Sequence, residues 1–258
     1  MIRLVYVVRR LPNMTREEFQ GYWRDKHGPL VSGYASAMKI RRYIQSHTID
    51  DPRNEMVREQ RGTLEAYDGV ADLWWDNEEV LAEAGLSDEG QQASEALLED
   101  EKNFIDFSRS TMYFATEVPQ INPTPENIVA RENSTIVKVC YFGAKRPDLT
   151  VEEAQFYWRH NHGPLIRSLG PITRIKRYLQ VHMIQTPFNE TVRERRGTMG
   201  EPFLGHAELW LDRLEMDSVG NTPEGARARE LAARDEARFI DFKRSAWWLA
   251  KEHVFVDR

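Results

Sequence analysis

Tyr22-Trp23-Arg24-Asp25-Lys26-His27-Gly28-Pro29-Leu30 returns as Tyr157-Trp158-Arg159-His160-Asn161-His162-Gly163-Pro164-Leu165, seven of nine positions identical at an offset of 135 residues. The same offset joins Arg42-Tyr43 to Arg177-Tyr178, His47 to His182, and Phe104-Ile105-Asp106-Phe107 to Phe239-Ile240-Asp241-Phe242. Asn54 to Thr63 returns as Asn189 to Thr198, and a one-residue insertion then shifts Asp72-Leu73-Trp74 onto Glu208-Leu209-Trp210. One module is therefore used twice. Two copies are too few for an open solenoid, so the expectation is a pair packed face to face.

The 258 residues divide into a first copy over 1–116, a linker over 117–134 containing Pro119, Pro123 and Pro125, and a second copy over 135–258. Each copy is long enough for a core of its own. A net charge of −6 argues against a nucleic-acid partner. The N-terminal apolar run is too short for a signal peptide, and no run reaches the length of a membrane span. A lone cysteine, Cys140, excludes an internal disulfide and fits a reducing compartment, so a cytoplasmic protein is expected.

Each copy reads in the same order. A Val-, Ile- and Tyr-rich strand (2–8, 136–142) comes first, then a helix opened by a capping box, Thr15 with Glu18 or Thr150 with Glu153. That helix is expected to stop at His27-Gly28-Pro29 or His162-Gly163-Pro164. A second strand (41–48, 176–183), a charged connection, a third strand (70–75, 206–211), a long helix (90–107, 224–242) and a closing strand (111–116, 246–250) follow. This β-α-β-β-α-β order is the ferredoxin-like split arrangement, an α+β class.

The Tyr-Trp-x-x-x-His-x-Pro-Leu helix, the strand Asp68-Gly69-Val70-Ala71-Asp72-Leu73-Trp74-Trp75 and the Asn103-Phe104-Ile105-Asp106 helix end together resemble the EthD-type family. Copy two departs from that pattern with Leu204-Gly205-His206-Ala207-Glu208-Leu209-Trp210-Leu211. The resemblance covers nearly all of both copies. It implies the dimeric α+β-barrel architecture, usually built by two chains and here supplied by one, within a superfamily of monooxygenases, isomerases, decarboxylases, dehydratases and haem proteins. Fold alone does not name the reaction.

Strand alternation sorts the faces. His206, Glu208 and Trp210 share one, as do Val70, Asp72 and Trp74 in copy one; Tyr178, Gln180 and His182 share another, repeated as Tyr43, Gln45 and His47. These polar and aromatic faces are expected to line a cavity between the copies, suited to an aromatic or phenolic small molecule. His206 beside Glu208 is the first candidate base, with Asp72, His27 and His162 as further acid/base candidates. A helix-capping role competes for His27 and His162, and a sheet-face ion pair competes for His206 and Glu208. Tyr43, Tyr178, His47, His182, Trp74, Trp210, Arg61 and Arg196 are candidate substrate contacts; for the two arginines, loop salt bridges are the competing reading. Because His206 is matched by Val70, the chemistry is expected to reside with copy two.

No Gly-rich phosphate loop, dinucleotide fingerprint, Cys-pair zinc spacing or nucleophile elbow occurs. No cofactor or metal is therefore expected. The function anticipated is a cofactor-independent lyase acting on an aromatic substrate by decarboxylation, dehydration or retro-aldol-like cleavage. A cofactor-free monooxygenase and a non-catalytic ligand carrier are the alternatives, with a homodimer as the anticipated further association.

Overall fold

The computed structural model describes residues 1–122, 124 and 128–258; Pro123 and Pro125 of the expected linker lie outside them. β1 (Ile2–Val8) leads to α1 (Arg16–Tyr22), and β5 (Ile136–Lys145) leads to α6 (Val151–Tyr157). Both helices start on the expected capping boxes. The Thr15 hydroxyl accepts from the Glu18 amide while the Glu18 carboxylate accepts from the Thr15 amide, and Thr150 and Glu153 repeat this.

The helix does not stop at His-Gly-Pro. A five-residue π turn, Trp23–His27 or Trp158–His162, carries it on into α2 (Gly28–Tyr34) or α7 (Gly163–Thr173). Gly28 keeps a right-handed φ of −56° and donates to the Trp23 carbonyl five residues back. Pro29 lacks an N–H and would clash in a regular helix, and the wider turn accommodates it. Trp23 and His27 are both buried as a result.

β2 (Arg42–Thr48) and β6 (Arg177–Met183) come next. The charged connections that follow are helices, α3 (Pro52–Arg61) and α8 (Phe188–Arg196), closed by left-handed Gly62 and Gly197 at φ 67° and 65°. β3 (Gly69–Trp75) and β7 (Gly205–Asp212) then lead into α4 (Glu78–Leu86) and α9 (Arg213–Gly220). Gly205 sits at φ 152°, where an added Cβ would stand 2.1 Å from the Val181 carbonyl oxygen and 3.0 Å from the Trp158 ring. Only glycine lets that tryptophan lie on the strand.

α5 (Asp88–Glu101) and α10 (Pro223–Glu236) end before Phe-Ile-Asp-Phe, which the sequence placed inside them. Asp106 caps a short 3₁₀ turn instead, accepting from the Ser108 amide, and Ile240 already opens the last strand. β4 (Thr111–Ile121) and β8 (Ile240–Asp257) are longer than expected. β4 takes the first residues of the anticipated linker because Glu117, Val118 and Pro119 pair with β6 of copy two.

All neighbouring strands are antiparallel in a closed barrel ordered β1-β3-β2-β8-β5-β7-β6-β4. Each copy is a ferredoxin-like unit in order 4-1-3-2. Its last strand lies between its own first strand and the other copy's second strand. Two tandem units thus complete one α+β barrel within one chain, and the barrel has no open sheet edge. Helices cover the outer face of each sheet, forming a separate apolar core for each copy. The lumen holds a third, with Val5, Val7, Val70, Tyr113, Phe142 and Trp248. Among the described residues no helix is long and apolar enough to cross a membrane.

Candidate active site

The lumen is full. Register places Val70, Asp72 and Trp74 inside together with His206, Glu208 and Trp210, as alternation predicted. The second strands are inverted relative to the prediction. Ile44 pairs with Asp72, and Val181 with His206, so Ile44, Ser46, Leu179 and Val181 point inward. Tyr43, Gln45, His47, Tyr178, Gln180 and His182 point outward beneath the helices. The His47 ring stacks on Trp23 at 4.6 Å and its Nε2 meets Gln45 Oε1 at 2.8 Å. His182 repeats this on Trp158 and Gln180 at 4.5 and 3.0 Å. Gln45 and Gln180 in turn donate to the Trp23 and Trp158 carbonyls, both at 2.9 Å, fastening each π turn to its sheet.

His206, Glu208 and Asp72 sit in a buried ionic network. Arg3 donates to Asp72 at 2.9 Å and to Glu117 at 3.0 Å, and it also bonds Glu208. Lys138, the copy-two counterpart of Arg3, lies 2.6 Å from Glu208 and 3.3 Å from Glu252. Trp74 and Trp210 donate their indole N–H groups to Glu117 and Glu252 at 3.0 and 2.8 Å. His206 Nδ1 is 3.2 Å from the Tyr113 hydroxyl and Nε2 is 3.2 Å from Glu208, while the ring stacks on Phe142 at 4.3 Å. Burial pushes its pKa down to about 4 despite the opposing Glu208. Burial alone would raise Glu208, but Arg3 and Lys138 hold it well below the usual carboxylate range.

Asp72, His206 and Glu208 offer ligand atoms within 4.8 Å of one another, yet the Arg3 guanidinium already pairs with both carboxylates. A metal ion would have to displace that guanidinium, so these residues do not fit a metal site. A void beside Arg3 and Arg42 has a volume of about 10 Å³. Among the described residues, long ionic and aromatic side chains meet across the barrel axis and fill the space expected to be a cavity between the copies.

The cavities lie outside the barrel, between each sheet and its helices. That of copy one has a volume of about 430 Å³, within the range of small-molecule sites. Its polar lining includes Tyr6, His27, Tyr43, Glu101 and Arg196 along with Gln91, Ser94, Thr191 and Arg195, and the rest is largely apolar. His27 Nδ1 is 2.7 Å from Asp100 Oδ2, and the Tyr22 hydroxyl donates to Asp100 Oδ1 at 2.8 Å. The hydrogen bond with His27 holds the Asp100 carboxyl below its ordinary range, so it remains an acceptor at neutral pH. This assigns the Nδ1–H tautomer to neutral His27 and leaves Nε2 as the basic nitrogen. Nε2 has no hydrogen-bond partner among the described residues. The Tyr6 hydroxyl is likewise buried and unpaired. Burial, then nearby Glu101, holds its pKa well above normal, so it stays a donor.

Copy two repeats the dyad, with His162 Nδ1 2.8 Å from Asp235 and Tyr157 donating to Asp235 at 2.6 Å. Its cavity is split into lobes of about 220 and 50 Å³, with Tyr141, Ile166, Leu209 and Glu236 bordering both. Glu236 stands 3.9 Å from His162 Nε2, whereas Glu101 is clamped by Arg196 through both oxygens at 2.6 and 2.8 Å. The larger cavity therefore belongs to copy one, not to the copy that carries His206. Arg61 and Arg196 each cross over: Arg61 of copy one pairs with Glu236, and Arg196 of copy two with Glu101.

Asp100, Asp235, Tyr6, Tyr141, Glu101 and Glu236 were not singled out from the sequence. The signal available was Asp100-Glu101 returning as Asp235-Glu236 at the common offset.

Residues 11–108 and 146–243 each match the EthD domain, together more than half of the chain. The chain belongs to the EthD-domain family. No curated protein matches it. Among solved structures, a provisionally assigned monooxygenase from Fusobacterium nucleatum subsp. nucleatum superposes with a TM-score of 0.51 at 4% identity, over 98% of this chain and 93% of that one. A provisionally assigned monooxygenase from Lactobacillus acidophilus gives 0.47 at 9% identity, covering 98% and 94%. A dye-decolorizing peroxidase from Bacteroides thetaiotaomicron gives 0.47 at 8%, covering 96% and 92%. At such identities the likeness concerns the fold. The matched segments contain both His-Asp dyads, whereas β1, β4 and β5, which also border the cavities, lie outside them.

Acid should destabilise this EthD protein. His206 and His182 have pKa values near 4 and 3 in the fold, both because of burial, against about 6.5 when unfolded. Burial also lowers His47. Below pH 6.5 the unfolded chain gains protons that the folded one refuses. Stability is then lost as pH falls, at about 1.4 kcal/mol per pH unit for each such proton. Asp72, raised to about 6 by burial, acts the other way and offsets about one of the three. Urea unfolding between pH 7.5 and 4.5 should give a falling stability; a flat or rising profile would contradict the burial of these rings.

Proposed function

We propose that this EthD protein is an enzyme that moves a proton on an aromatic-sized small molecule held in the copy-one cavity, with His27 as the general base. The observation that carries this reading is the His27-Asp100-Tyr22 relay, which leaves an unpartnered Nε2 on a largely apolar wall. Asp100 orients the ring and stabilises the imidazolium formed when Nε2 takes a proton, while Tyr6 donates to the oxygen on which negative charge develops. His27 then returns the proton to the leaving group or to carbon. Such a sequence serves a lyase-type cleavage of a carbon–carbon or carbon–oxygen bond and needs only the chain's own residues.

The test uses substitutions that fill one cavity at a time. Ala71 lines the copy-one cavity, and its counterpart Ala207 lines the smaller lobe of copy two. A thermal-shift screen of phenolic and polyketide-like compounds supplies ligands, and turnover is then measured. Ala71→Phe should abolish both the shift and turnover, while Ala207→Phe should leave them near the parent's. Loss of turnover in Ala207→Phe alone would move the chemistry to copy two. A shift without turnover by the parent would make the protein a carrier.

A further inference from the structure

We propose that the copy-one cavity selects neutral, proton-bearing oxygen compounds, phenols or enols, and that Arg196 of copy two anchors their oxygen. This rests on that cavity being the active site. Arg196 spends Nε and Nη2 on Glu101 and lines the cavity, while its Nη1 has no hydrogen-bond partner among the described residues. Its guanidinium carbon lies 5.8 Å from the centre of the Tyr6 ring, whose hydroxyl is the unpaired buried donor. Two donors without partners thus line the same cavity as His27, whose Nε2 has no hydrogen-bond partner among the described residues. A ligand oxygen accepting from Tyr6 and Arg196 can present its own proton to Nε2.

Charge decides the ligand's protonation state. Arg196 is paired with Glu101, and His27 with Asp100, so the deep wall holds no cationic group without a carboxylate partner. Arg195, also on the cavity, is exposed, where water and salt screen it. A carboxylate ligand would be desolvated next to Glu101 with the Arg196 guanidinium already committed. A neutral phenol or enol avoids that cost. When its O–H bond breaks, the proton forms the N–H bond at Nε2 and the electron pair stays on oxygen. The new anion then faces Arg196 while the imidazolium faces Asp100, and the net charge of the cavity does not change. Because Arg196 comes from the other copy, neither copy alone completes this wall.

Calorimetric titration with naphthalene, 2-naphthol and 2-naphthoate at neutral pH tests the proposal. The parent should bind 2-naphthol at least about tenfold tighter than naphthalene, the scale of one charge-assisted hydrogen bond. 2-Naphthoate should bind more weakly than 2-naphthol. The double variant Arg196→Met/Glu101→Leu removes the ion pair without stranding a charge, and its preference for 2-naphthol over naphthalene should shrink to about twofold or less. Should that variant not fold, Arg196→Lys, which keeps a cation on Glu101, should show a reduced preference. Tightest binding of 2-naphthoate by the parent overturns the charge selection. An undiminished preference in the folded variant overturns the role of Arg196, while loss of turnover in His27→Ala would still uphold the active site. No binding of 2-naphthol by the parent overturns the proposal, and no binding of any of the three overturns the cavity reading with it.

Discussion

Replacing His27 by alanine should lower turnover by roughly 10²–10⁴-fold, the usual contribution of a positioned general base, while leaving the fold intact. The ring bonds Asp100 at 2.7 Å and packs on Phe104 at 5.0 Å, so its loss removes a basic nitrogen from a cavity wall and little of the core. Asp100→Asn should have a smaller effect in the same direction. An amide can present its N–H to the ring and favour the other tautomer, which turns a protonated nitrogen toward the cavity. His162→Ala should cost little, because Glu236 already stands beside Nε2 in a divided cavity. His206→Ala, whose ring is shut inside the barrel, should also keep turnover near the parent's. Steady-state rates for the four variants, with far-UV circular dichroism as a check on folding, decide the matter. Normal turnover in His27→Ala together with a large loss in His206→Ala would refute the assignment and return the chemistry to the lumen.

Arg3→Met should destabilise the protein by about 3–5 kcal/mol, the cost of leaving buried charges without their partner. Arg3 is 1% exposed and joins Asp72 and Glu117 of copy one to Glu208 of copy two. Without it, Asp72 is left with Lys138 at 3.9 Å, and Glu208 loses one of its two cations. Adding Glu208→Gln should recover part of the loss, because it removes one of the stranded carboxylates; the pair is coupled, so the two changes should not add. Urea midpoints for the parent and the two variants measure this. An Arg3→Met variant within about 1 kcal/mol of the parent, the scale of a screened surface pair, would show the lumen to be hydrated and its charges weakly coupled.

The duplication, the ferredoxin-like order and the capping boxes were legible because they rest on local chemistry and on repetition, while the α+β barrel came from the resemblance to the EthD-type family. Thr15 and Glu18 lie three residues apart, and their bonds form wherever the chain is. The His-Gly-Pro stop misled because a proline after a glycine ordinarily ends a helix, whereas the π turn here accommodates it and keeps Trp23 and His27 facing the sheet. Lumen and helix-covered faces were not separable from alternation alone. Both faces of these strands are buried, so polarity does not mark the outside. Gln45 and His47 look like cavity wall, yet they hold a helix carbonyl and a tryptophan ring; Tyr43 does line a cavity, but the one beneath the helices.

The candidate site was half legible. His27 stands in the repeated phrase, but the partner that gives it a direction, Asp100, is 73 residues away. Arg196 reaches Glu101 across 95 residues and from the other copy. His206 and Glu208 were adjacent on a strand face, as read, and only the barrel's closure showed that Arg3 and Lys138 pack against Glu208. Backbone periodicity and capping are set within a few residues, so the chain alone determined the elements and their order. Which face meets a cavity, and which charge finds which partner, depends on strands and helices distant in sequence closing around one axis; the tertiary structure decided it.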